Sequence, residues 1–374
     1  MLNLAIFLDT FNETNGVSIT YKNYFLWNEK FKKTKTIILS VADNDQNTIG
    51  KYTKIFLLKP HLMFRLPLYK DILIGFPQIK TVKNLLIKNH INAILLTSPG
   101  PMGILGKYLS KKLNIPVFCF YHTRFEKFVK IYGEHYGGKS LGVTFTKFSD
   151  YLHKSIYKNC KAIFIQSEEL KKDLLKFNNK HIHLIPIGID REIFKPLRKT
   201  RTKRDALAYV GRIAMEKNIE IIVKILPFLK SAGIDLKLIG DGPYRKTIEK
   251  MMNIKATGFV EQKLIPGLLK SCSALLFPSV TDTVGNVVFE AVSMGIPVII
   301  AKDTPIAKIV NKYHCGLEFD PKKPSDLKEK IIFLLKNKDK FISEEIKKNK
   351  DLFSYNSTFS EMIKIIKTST HSTG

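Results

Sequence analysis

Short apolar runs recur along the chain and alternate with longer stretches of mixed polarity. In the first half they fall at 4–8, 36–40, 54–58, 93–97, 116–121, 162–167 and 183–187. In the second half they fall at 206–210, 236–239, 256–259, 274–277, 297–301 and 316–319. Runs of four to eight apolar residues read as buried strands, and the segments between them carry helical patterns, for example 104–113, 145–157 and about 285–294. Strand and helix in alternation predict an α/β fold with parallel sheets. Residues 351–367 read as an amphipathic closing helix, followed by a polar, fraying tail. The polar and strongly basic stretch 188–204 reads as the linker between two such series.

At 374 residues, with 44% hydrophobic and 25% charged positions, the chain is a soluble globular protein of two ordinary domains. No apolar run approaches the roughly 18 to 20 residues needed to cross a bilayer. The N-terminus reads as a first strand rather than a signal peptide, so a cytoplasmic protein is expected. The four cysteines are far apart and unpaired in spacing, which indicates neither a zinc site nor a disulfide framework. The net charge of +28 draws polyanions, nucleic acid or an anionic membrane face, although a lysine-rich composition bias would produce it too. The chain has no zinc-finger spacing, helix-turn-helix signature or RNP-like strand, so nucleic acid is not the expected partner. Between 124 and 161 basic and aromatic residues interleave, including Arg124, Lys127, Phe128, Lys130 and Tyr132. That mixture suits an anionic membrane surface, with part of it needed for core packing.

The densest candidate chemistry lies between 279 and 301. A strand leads into a loop with Asp282, then a helix capped by Thr283 or a neighbour, with Glu290 about one and a half turns in. The first amides, at Gly285, Asn286 and Val287, would face a phosphate from the positive helix end, and Gly285 would let a diphosphate approach closely. A diphosphate flanked by two polyols, as in a sugar nucleotide, fits two acids so spaced. Spacing alone fits more readily a plain helix-start aspartate and a solvated helix glutamate. Elsewhere, Gly16 could bring backbone close to a ligand at the carboxyl edge of the first sheet, and His122 stands at the end of a short buried strand, where α/β sheets bind ligands.

Several landmarks in order decide the matter. Val210-Gly211-Arg212 with Glu216-Lys217-Asn218, the turn Gly240 to Arg245 with Gly242, the turn Thr257 to Val260 with Phe259, and the Asp282/Glu290 pair together resemble the retaining family 4 glycosyltransferases of the GT-B fold. Ser98 to Gly103 and Tyr121 to Arg124 extend the resemblance to the branch that transfers mannosyl, glucosyl or sulfoquinovosyl units to glycerolipids. The resemblance implies two Rossmann-like doubly wound domains facing across a cleft: an acceptor domain at 1–190, a donor domain at 191–351, and a closing helix and tail at 352–374 that return to the first. It implies a UDP- or GDP-sugar donor held by Gly16, Gly211, Gly240, Gly242, Phe259, Val260, Gly285, Asn286 and Val287, with no metal and no cofactor. Arg212 and Lys217 would stabilise the leaving diphosphate, Asp282 and Glu290 would accept hydroxyls of sugar and ribose, and His122 would sit near the sugar. A membrane lipid is the expected acceptor, and peripheral attachment to the cytoplasmic membrane face the expected location; a soluble glycan or lipid-linked oligosaccharide is the other acceptor class. Aspartate stands where the family usually has glutamate, and Ala301 to Pro305 replaces its usual pair of glycines before proline. Sugar, base and oligomeric state stay open.

Overall fold

The computed structural model describes residues 1–13, 15–66, 69–122, 150–175, 181–196 and 205–371. The chain divides into two compact units, one of 1–186 with 355–374 and one of 187–354. The divisions expected from sequence were at 190 and 351.

In the first unit an eight-stranded sheet runs in the order β10-β9-β8-β7-β1-β2-β4-β3. Its strands are β1 (Asn3–Phe7), β2 (Lys35–Val41), β3 (Gln46–Ile49), β4 (Thr53–Leu58), β7 (Ala93–Leu96), β8 (Val117–Phe120), β9 (Ala162–Ile165) and β10 (Ile182–Leu184). All neighbours are parallel except β3 with β4. The interior strands are buried on both faces, which is why they read as unbroken apolar runs. Edge strand β3 is exposed at every position and shows no such run. A separate antiparallel pair, β5 (Leu62–Leu66) and β6 (Tyr69–Phe76), lies between the apolar runs at 54–58 and 93–97, where no strand was expected.

Core residues fall into two clusters. One holds Phe7, Leu39, Leu96, Leu105 and Leu109. The other packs Tyr21, Tyr24 and Trp27 of α1 (Gly16–Phe31) against Phe359, Met362 and Ile366 of the closing helix Tyr355–His371. Trp27 Nε1 donates to Asn356 Oδ1 at 3.0 Å, and the Tyr24 and Phe359 rings meet edge to face at 5.2 Å. The closing helix is thus a structural part of the first unit, and it starts at Tyr355 rather than 351.

The second unit holds a five-stranded parallel sheet, β12-β11-β13-β14-β15. The strands are β11 (Ala206–Val210), β12 (Asp235–Ile239), β13 (Ala274–Phe277), β14 (Val298–Ala301) and β15 (Gly316–Phe319). The expected strand at 256–259 is absent: only an isolated bridge, Gly240 to Gly258, forms there, because Gly258 takes a left-handed φ of 76°. The first part of the expected linker is packed too. Ile187, Ile189 and Phe194 are core residues of the second unit, and Asp190 Oδ1 accepts from the Glu192 and Ile193 amides at 2.9 and 3.1 Å. Polar side chains at 190–192 concealed a tightly folded turn. No helix among the described residues is long and apolar enough to cross a membrane.

Candidate active site

In each unit strand order reverses once, and ligands of open α/β sheets bind at the carboxyl ends of strands flanking that reversal. In the second unit the reversal falls between β11 and β13, since β12 lies on one side of β11 and β13 on the other. Gly211 and Arg212 follow β11, and Pro278 to Asp282 follow β13. Tyr209 Oη donates to the Arg212 carbonyl at 2.6 Å, fixing the first loop. A short 3-10 turn, Met215–Lys217, then carries Lys217 to the second: its Nζ meets Asp282 Oδ1 at 2.6 Å, with both side chains about one fifth exposed (22% and 23%). Asn218 Nδ2 donates to the Pro278 carbonyl at 3.3 Å and Thr281 Oγ1 to the Glu216 carbonyl at 3.2 Å, so the two loops are stitched together beside the ion pair.

The helix after β13 is Asn286–Ser293, and its N-cap is Gly285, with no side-chain cap. Thr283 is buried and is not the cap; of the two expected alternatives, the neighbouring Gly285 takes the N-cap position. Gly285 has φ 59°, and a Cβ there would lie 2.6 Å from the Phe277 ring and 2.8 Å from Ile306. The glycine is therefore required by backbone conformation and by packing on its inner side. Asn286 and Val287 are the first helical residues, whose amides have no partner within the helix.

Glu290 is not a solvated helix acid. It is 5% exposed, and its Oε1 accepts from Gln262 Nε2 at 2.8 Å. Burial pushes its carboxyl up to about 7; the Gln262 hydrogen bond pulls the other way, and Asp190 nearby adds to the rise. Gln262 and Asp190 went unseen in the sequence, where Gln262 lies 28 positions from its partner.

The glycine-rich turn after β12 sits against the same loop. A Cβ on Gly240, φ 142°, would strike the Gly211 carbonyl at 1.9 Å, and one on Gly242 would strike Ile213 O at 2.4 Å. Gly240 and Gly242 thus let two backbones touch, whereas a Cβ on Gly211 would meet only the Tyr209 side chain at 3.7 Å or more. Phe259 is 62% exposed and Val260 packs on the core. In the departing segment, Asp303 takes φ 59° and Thr304 caps the helix Pro305–Lys312, its Oγ1 accepting from the Ala307 amide at 3.3 Å. A helix cap replaces the glycine pair.

In the first unit the reversal lies at β1 and β7. Asp9, just past β1, accepts from the Met102 amide at 2.9 Å and from the Ser98 hydroxyl, tying the strand end to the start of α3 (Pro101–Leu113). Pro101 opens α3, three residues before the expected start. Gly16 is the first residue of α1. His122, beyond β8, is stacked on Phe120 at 3.7 Å, and its Nε2 lies 3.1 Å from Tyr21 Oη. Burial pushes its pKa down to about 3, so the imidazole is neutral at ordinary pH. Tyr21 was missed because it lies 101 positions away. Arg124, Lys127, Phe128, Lys130 and Tyr132 lie outside the described residues.

Comparison with known proteins matches residues 44–193 to the Glycosyltransferase Family 4 model and residues 190–352 to the model for glycosyl transferases group 1. A sulfoquinovosyl transferase of Arabidopsis thaliana is 26% identical over 74% of this chain, which spans 56% of that relative's length. An alpha-monoglucosyldiacylglycerol synthase of Streptococcus pneumoniae is 24% identical over 80% of this chain and 70% of its own. Among solved structures, Anabaena HepE in complex with UDP superposes with a TM-score of 0.71 at 14% identity, over 98% of this chain and all of that one. Two successive domain matches and two doubly wound units meet in one conclusion: the chain belongs to the glycosyltransferases of the GT-B fold, a family 4 region followed by a group 1 region.

Proposed function

We propose that the protein moves a hexosyl unit from a UDP- or GDP-sugar to a membrane glycerolipid, with retention of anomeric configuration and without a metal ion. The observation that carries the reading is the Lys217–Asp282 pair at the strand reversal, followed in the chain by the Asn286–Ser293 helix that holds the buried Glu290. A diphosphate competing for the Lys217 ammonium would release Asp282 to accept hydroxyls of the sugar. Lys217 and Arg212 would then stabilise the charge that develops on the leaving diphosphate, a role usually worth several kcal/mol in a water-poor site. Glu290 would accept from the ribose. The departing diphosphate leaves an oxocarbenium-like sugar, which the acceptor hydroxyl attacks from the same face. His122 is neutral at working pH and carries no charge to lend a ligand at its own sheet edge.

A lipid acceptor is supported by the name of the alpha-monoglucosyldiacylglycerol synthase and by one face of the first unit. Ile104 and Tyr108 are exposed on α3 beside Lys111 and Lys112. Lys107 Nζ donates to the Lys158 carbonyl at 2.6 Å, joining that face to the helical stretch 150–157, where Tyr151 is exposed. Apolar side chains among lysines complement anionic headgroups.

The test is transfer in EDTA from radiolabelled UDP- and GDP-hexoses to vesicles of diacylglycerol and anionic phospholipid. Label is expected in the lipid fraction as an α-glycoside. Transfer confined to soluble glycans, or dependent on added divalent metal, would overturn the proposal.

A further inference from the structure

Cys119 lies in β8 and Cys160 just beyond the helical stretch 150–157, 41 positions apart, yet their sulfurs are 2.8 Å from each other. That is far inside ordinary sulfur contact and approaches the roughly 2.05 Å of an S–S bond. Cys160 also donates to the Ile156 carbonyl at 3.2 Å, and Lys107 Nζ stands 3.6 Å from its sulfur. We propose that Cys119 and Cys160 are a reversible thiol–disulfide pair, oxidised by a small peroxide. The hydrogen bond from Cys119, helped by the Lys107 charge, holds the Cys160 thiol below its ordinary value, while burial pushes Cys119 up. Cys160 is therefore the attacking sulfur. Burial raises Cys272, and raises Cys315 to about 12, so neither competes.

The Cys160 thiol ionises, its thiolate attacks one oxygen of hydrogen peroxide and the O–O bond breaks; the departing hydroxide combines with the proton released on ionisation to give water. The Cys119 sulfur then attacks the sulfenic sulfur. The S–O bond breaks, and the second hydroxide leaves as water with the Cys119 proton. Two thiols are oxidised and one peroxide is reduced to two waters. The burial of both sulfurs favours an oxidant of this size over a bulky disulfide. The bond would join the two ends of the segment that contains the basic and aromatic stretch from 124, whatever acceptor that stretch meets.

The full chain would be treated with hydrogen peroxide, unfolded in N-ethylmaleimide and mapped by mass spectrometry with and without dithiothreitol. The expected product is a crosslinked peptide pair through Cys119 and Cys160, lighter by two hydrogens, reversed by dithiothreitol, with Cys272 and Cys315 alkylated. Lys107→Met should slow its formation severalfold. Full alkylation of Cys119 and Cys160 after peroxide, separate sulfinic acids on them, or faster oxidation at Cys272 would overturn the proposal.

Discussion

Replacing Glu290 with Gln should stabilise the protein in alkaline solution and leave it almost unchanged in acid. The folded carboxyl titrates near 7 against the ordinary 4.5, because burial penalises its ionised form. In the unfolded chain it ionises freely, so above about pH 7 the native state must carry a charge that the unfolded state carries at no cost. Between 4.5 and 7 the native state binds more protons than the unfolded one, and stability falls as pH rises through that window. At about 1.4 kcal/mol per tenfold change in proton affinity, the cost at pH 8.5 is roughly 3 kcal/mol. Glutamine keeps the side-chain oxygen that accepts from Gln262 and removes the charge. Urea unfolding of both proteins at pH 5 and pH 8.5, followed by tryptophan fluorescence and circular dichroism, measures the difference. Glu290→Gln should gain roughly 3 kcal/mol over the parent at pH 8.5 and only about 1 kcal/mol at pH 5, vanishing below about pH 4. Parallel stability profiles would refute the reasoning. The same variant should bind nucleotide donor more weakly, so that stability and function separate in one substitution.

Lys217→Ala removes the partner of Asp282 and, under the proposed mechanism, the charge beside the leaving diphosphate; transfer should fall by about 10² to 10³ in kcat, and near-normal turnover would take Lys217 out of the mechanism. Gly285→Ala forces a side chain into left-handed backbone and against the Phe277 ring, and should cost about 1 to 3 kcal/mol in denaturant unfolding whatever the donor; an unchanged midpoint would show that the Asn286–Ser293 helix can start elsewhere.

The sheets were legible because strands such as β7, β8 and β13 are buried on both faces and spell continuous apolar runs. β3 was not, since an exposed edge strand such as Gln46–Ile49 needs no apolar side chains. The loop and helix of the donor region were legible from Asp282, the glycine and the run that follows. Their chemistry was only half legible: an acid eight positions beyond Asp282 can be read, but its burial depends on Gln262 arriving from a separate turn. The packing role of Gly285 was not legible, because the direction a Cβ would take is set by Phe277 and Ile306 packing behind it. The packed turn at Asp190 was taken for a linker because its hydrogen bonds are made by the same polar groups that mark a loop.

The first unit is written in two pieces, and that ordering constrains how the protein is born. Tyr24 and Trp27 rest on Phe359, so the aromatic face of α1 stays uncovered until the 355–371 helix has been made. Synthesis of the intervening stretch 187–354 takes roughly ten to thirty seconds at the usual pace. Throughout that wait the aromatic face of α1 is a surface for a chaperone to hold, while the second unit, continuous in sequence, is free to fold first.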